Sequence, residues 1–110
     1  MKKTLLLLIA CCATPFLLAV NCKIQHLEPL NWWIGMQNPE LQLCVHGQDM
    51  GACEAAINYP EVTITKQVKT DNPNYLFVYL NIDPSTKPGK INITFSKDGK
   101  KYTSCKYELK

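Results

Sequence analysis

The chain contains no arginine: all twelve of its basic residues are lysines. It therefore lacks the planar guanidinium fork that reads guanine edges and clamps phosphates. The formal net charge of +3 falls to +1 without Lys2 and Lys3, so there is no strong positive field to collect a polyanion. Nucleic acid is not an expected partner. Lys97, Lys100 and Lys101 do cluster, but they flank a turn signal and read as a solvated hairpin. Length excludes a further class. At 110 residues the chain fits one domain and cannot hold a (β/α)8 barrel of about 250 residues. Helical periodicity, internal repeats and low-complexity tracts are also missing, and the six cysteines include no paired C-x2-C spacing of the kind that holds zinc.

Charge is absent from one long stretch. Thr4 to Val20 carries none, begins with the apolar run Leu5 to Ile9, and follows Lys2 and Lys3. A short basic start before an apolar core is the pattern of a secretory signal peptide. A transmembrane anchor competes with it, because the run approaches the roughly 18 to 20 residues that span a bilayer; Pro15, Cys11 and Cys12 interrupt it. Small side chains suit cleavage after Ala19, or after Cys22 with Val20 three positions before the cut. Leu8-Ile9-Ala10-Cys11 also spells a lipoprotein-type box, although lipidation there would strand Phe16 to Val20 outside. Residues 1–22 are assigned to the leader and 23–110 to the domain, with an expected location in the periplasm or outside the cell.

From Leu30 onward, short apolar runs alternate with turn signals. The candidate strands are Trp32 to Met36, Leu41 to His46, Glu54 to Asn58, Val62 to Val68, Tyr75 to Ile82, Lys90 to Ser96 and Tyr102 to Leu109. Asn38-Pro39, Tyr59-Pro60, Asp71-Asn72-Pro73 and Asp83-Pro84 punctuate them, and Asp98-Gly99 is the strongest tight-hairpin signal. Proline falls between strands, as a ladder of backbone hydrogen bonds requires. Alternation puts Leu76, Val78, Leu80 and Ile82 on one face of the fifth candidate, and Tyr75, Phe77, Tyr79 and Asn81 on the other. With both faces apolar, that strand is expected to be covered on both sides. Seven strands without a crossover helix predict an all-β, immunoglobulin-like antiparallel sandwich.

Few residues suggest chemistry. Trp32 and Trp33 are adjacent on a strand and point to opposite faces. Trp32, with Ile34 and Met36, is the core candidate; Trp33, beside Gly35, is the candidate for packing, for an interface with another domain or subunit, or for stacking on a sugar. Cys44 and His46 share a face, and Cys53 follows across a turn. Their spacing matches no strong metal pattern, whereas a Cys44–Cys53 disulfide would close a short loop around Gly47 and Gly51. Cys105 alternates with Tyr107 and Leu109 and reads as a small buried hydrophobe. Glycoside hydrolysis needs two converging carboxyl groups, and the acids here fall mainly at strand ends and turns. No catalytic residue, metal ligand or cofactor is expected.

The run Asn31-Trp32-Trp33-Ile34-Gly35-Met36-Gln37-Asn38-Pro39 resembles the opening of the N-terminal domain of cyclomaltodextrinases and neopullulanases, enzymes of the alpha-amylase glycoside hydrolase family. The similarity continues through Tyr59-Pro60, Asp71 to Leu80, Lys87-Pro88-Gly89 and Tyr107-Glu108-Leu109-Lys110. What the resemblance implies is a β-sandwich placed before a catalytic barrel, serving domain packing, dimerisation or the shape of the substrate cleft. The implied partners are that barrel or a second subunit of an alpha-glucan hydrolase, with at most weak alpha-glucan binding. The family's catalytic carboxylates belong to the barrel and correspond to no position here. A free-standing exported binder of carbohydrate or protein is the alternative function.

Overall fold

Period-two alternation of apolar side chains becomes two stacked sheets. The computed structural model describes residues 20–110, so residues 1–19 of the expected leader lie outside the described residues. Within them, β1 (Lys23–Glu28), β3 (Glu40–Gln48), β6 (Tyr75–Ile82) and β5 (Val62–Lys69) form one sheet in the order β1-β3-β6-β5. The other, in the order β2-β8-β7-β4, comprises β2 (Asn31–Trp32), β8 (Lys100–Leu109), β7 (Gly89–Lys97) and β4 (Glu54–Ile57). The chain is an immunoglobulin-like β-sandwich. Its pairings are antiparallel apart from the short contact of β2 with β8, which is parallel and joins Asn31 to Glu108 and Trp32 to Leu109.

Register assigns the core. Leu41, Leu43 and Val45 of β3 lie opposite Leu80, Val78 and Leu76 of β6. Ile91 of β7 lies opposite Tyr107 of β8, and Ala55 of β4 opposite Phe95. All of these inward-facing side chains are buried, and burying each large one stabilises the fold by about 1.5 to 3 kcal/mol relative to exposure. The hairpin between β7 and β8 turns on Asp98 and Gly99, both at positive φ (52° and 82°). That is the geometry a two-residue hairpin of matching twist demands.

Four expectations need correction. The candidate strand Trp32 to Met36 stops after Trp32, because Gly35 adopts φ 84°, a left-handed conformation that breaks an extended run. Met36 accordingly leaves the core and is exposed. An eighth strand, β1, occupies Lys23–Glu28. A register shift between Ile24 and His26 puts its inward residues, Ile24 and Leu27, three positions apart, so simple alternation does not reveal it. Third, the outer face of β6 is not covered. Tyr75, Phe77, Tyr79 and Asn81 are half-buried there, since a two-layer sandwich covers only the facing sides of its sheets.

The fourth concerns the cysteines. Cys53 is bonded to Cys22, not to Cys44, across 31 residues. Cys44 points to the outer face of the first sheet with Gln42 and His46, opposite the inward Leu43 and Val45, whereas Cys53 is fully buried. Side chains diverging in this way cannot be bridged. Cys22, itself buried, therefore belongs to the body of the domain, which extends beyond the 23–110 range assigned from sequence. Val20 also packs against the core.

Candidate functional site

Two surfaces collect side chains that the core does not use. The first surrounds Trp33. Backbone hydrogen bonds clamp its segment to the end of β8: Lys110 N–H donates to the Trp32 carbonyl at 2.8 Å, and Ile34 N–H donates to the Lys110 carbonyl at 2.9 Å. Trp32 and Ile34 pack against the core. Trp33 is 49% exposed, with Leu30 at 72% and Met36 at 43% along the same short segment. The Trp33 ring sits 5.9 Å from that of Trp32, tilted by 58°, and the Lys110 ammonium lies 5.6 Å from its centroid. Three large apolar side chains are thus exposed on the segment between β1 and β3.

The second surface is the outer face of the first sheet. Tyr75, Phe77 and Tyr79 line up along β6. The Tyr75 and Phe77 rings lie 6.5 Å apart, within 12° of parallel, and His46 stands 4.6 Å from Tyr75. The Lys66 ammonium caps the Tyr79 ring at 4.6 Å, a favourable contact with its negative π face. Cys44 lies opposite Phe77. Its thiol is pushed up by burial, and the Glu28 carboxylate adds to the shift; burial raises the Cys105 thiol too. Both effects hold these sulfurs as neutral thiols rather than nucleophilic thiolates.

A cleft of about 470 Å³ opens between the turns before β5 and β7, lined by Tyr59, Pro60, Glu61, Ser85 and Lys87. The Tyr59 hydroxyl donates to the Lys87 carbonyl at 2.7 Å across it. Nearby, Asp83 is held below its ordinary pKa by the backbone N–H and hydroxyl of Ser85. Glu61 is the carboxylate among the lining residues, and the Asp83 N–H donates to its backbone carbonyl at 3.0 Å. Cys44, His46 and Cys53 do not converge: Cys44 and His46 face outward on β3, while Cys53 lies buried in its disulfide.

A sequence model of the family described as cyclomaltodextrinase, N-terminal, matches residues 26–110. The chain belongs to this family. The match runs from within β1 through the Trp33 segment to Lys110, just past β8, so both surfaces lie within the shared domain. As a cyclomaltodextrinase N-terminal domain, the chain is a small all-β accessory module of an alpha-amylase-family enzyme and not that enzyme's catalytic barrel. The exposure of Trp33 agrees with its reading as the outward member of the Trp32-Trp33 pair. The exposed aromatic row on β6 escaped notice because apolar residues on both faces of a strand ordinarily signal double coverage. Cys22 fell at the boundary left open between cleavage after Ala19 and after Cys22, and its pairing with Cys53 was not among the expectations.

Proposed function

We propose that the chain is a non-catalytic module of an exported alpha-glucan hydrolase, and that it works by packing the Trp33 surface against the catalytic domain or a second subunit. The observation that carries this reading is the exposure of Leu30, Trp33 and Met36 on the segment whose Trp32 and Ile34 are hydrogen-bonded to Lys110 at the end of β8. A patch of this kind, on a domain whose family accompanies a catalytic barrel, fits a packing role better than a catalytic one. Export is supported by the basic and apolar start of the sequence and by the Cys22–Cys53 disulfide, a bond that persists in oxidising compartments and is rare in the cytosol. The burial of Cys22 and the packing of Val20 favour leader cleavage after Ala19 over cleavage after Cys22, which would discard half of the disulfide.

Sedimentation of the purified chain, alone and mixed with the catalytic domain of an alpha-glucan hydrolase, tests the docking role. Association that weakens at least tenfold in Trp33→Ala is expected. Association unchanged by that substitution would remove Trp33 from the interface. N-terminal sequencing of the exported product should begin at Val20.

A further inference from the structure

The register of β1 against β3 sets four donor side chains at the corners of a rectangle. His26 lies directly opposite His46, and Glu28 directly opposite Cys44. Cys44 and His46 face outward on β3. Their partners His26 and Glu28 are exposed on β1, while Leu27 and Val45 between the two pairs turn to the core. We infer that Cys44, His46 and His26 form a binding site for a single zinc ion, with Glu28 orienting His26. The site is separate from Trp33 and does not depend on its docking role.

Spacing comes first. Opposed residues of an antiparallel pair have Cβ atoms about 4.5 to 5.5 Å apart, and alternate residues of one strand stand about 6.5 to 7 Å apart. A tetrahedral ion takes bonds of about 2.0 Å to nitrogen and about 2.3 Å to sulfur, and side chains at these separations reach it by rotation about their own χ angles while the backbone stays in register. Rotation is needed, because among the described residues no three such side chains are already gathered around one point. The His46 ring rests 4.6 Å from Tyr75, and His26 is held by Glu28. His26 and Glu28, being exposed on an edge strand, have room to turn.

The donor set selects the ion. Two imidazoles and a thiol are nitrogen and sulfur ligands, which suit zinc and not calcium or magnesium, whose ligands are oxygen. Along the sequence the third group near Cys44 and His46 is Cys53, but its sulfur is bonded to Cys22; β1 brings His26 instead, and Cys44 is a free thiol. Glu28 has a use of its own. Its carboxylate lies 2.7 Å from His26 Nε2. A ligating imidazole commonly gives its other ring N–H to a carboxylate in this way, which leaves the lone pair on Nδ1 for the metal. The same carboxylate acts on Cys44, whose thiol is raised by burial and then by Glu28. A cation beside the sulfur offsets that charge and favours the thiolate that binds metal.

Calorimetric titration of the purified chain with zinc chloride tests the site, and cobalt(II) in place of zinc reports the ligands by absorption. One ion per chain with a micromolar or lower dissociation constant is expected, together with a thiolate-to-cobalt charge-transfer band and the visible bands of tetrahedral cobalt. Cys44→Ser should abolish the charge-transfer band, and Cys105→Ser should leave it. His26→Ala and His46→Ala should each weaken zinc binding at least tenfold. Glu28→Gln should weaken it about tenfold with an unchanged melting temperature. No binding heat and no cobalt band at neutral pH would overturn the site. Zinc affinity unchanged in His26→Ala would overturn the three-ligand assignment. One ion for every two chains, with dimers formed only when zinc is added, would overturn the single-chain site and place the ion between copies.

Discussion

Gln67 of β5 and Ala55 of β4 are joined twice across the seam between the two sheets. The Ala55 N–H donates to Gln67 Oε1 at 2.8 Å, and Gln67 Nε2 donates to the Ala55 carbonyl at 3.0 Å. A side-chain amide thus occupies the place a neighbouring strand would take on β4, an edge of its sheet. Unpaired edges invite pairing with other chains, and here the exposed donor and acceptor of Ala55 are both satisfied. Gln67→Ala is expected to lower stability by about 1 to 3 kcal/mol and to make the chain associate with rising concentration. Denaturant unfolding and light scattering measure the two effects, and loss of stability without association would refute the edge-protecting role.

The Cys22–Cys53 bond ties the segment before β1 to the turn before β4. Closing a loop of this length contributes about 3 to 4 kcal/mol by restricting the unfolded chain. Cys53→Ala, or reduction of the wild type, should therefore lower the denaturation midpoint sharply, while Cys44→Ser should change it little. Peptide mapping that linked Cys53 to Cys44 would contradict the arrangement.

Tyr107 is buried at 1% exposure, and its hydroxyl has no hydrogen-bond partner among the described residues. An unpaired buried hydroxyl has lost its water without replacement. Tyr107→Phe should consequently be neutral or stabilising by up to about 1 kcal/mol, whereas Tyr107→Ala should cost about 3 to 5 kcal/mol through the cavity it leaves. Burial also raises the phenol pKa above its ordinary value. The folded state then holds its proton at pH values where the unfolded chain has released it. Stability from this source is intact below about pH 10, the unfolded value, and falls as pH rises beyond it. Wild type should lose stability above pH 10 more steeply than Tyr107→Phe, as read by urea midpoints.

Incubation of the purified chain with cyclomaltodextrins and pullulan should release no reducing ends. Acetal hydrolysis needs an acid and a second carboxylate about 5 to 10 Å apart, and Glu61 is the carboxylate among the residues lining its cleft. Reducing ends that persist through repurification, and disappear in Glu61→Gln, would assign catalysis to this cleft instead.

Much of this architecture was legible along the chain. β6 was bounded correctly at Tyr75 and Ile82, and the inward sets of β3, β6 and β7 followed from period-two alternation, because a strand can bury one side chain in two against a facing sheet. Asp98-Gly99 announced its hairpin because a tight turn of that hand requires positive φ twice. The Trp-Trp-x-Gly-Met and Asn-Pro-Asn-Tyr-Leu-Phe segments pointed to the right family. Tertiary structure alone decided the rest. A bulge hid β1 by breaking its alternation, and the choice of Cys22 over Cys44 depended on which thiol faced inward beside Cys53, a matter of sheet register rather than sequence distance. Whether the Tyr75, Phe77 and Tyr79 face would be covered was likewise undetermined by the strand itself. Alternation sorts side chains onto two faces, but only the stacking of the sheets selects the one that meets the core.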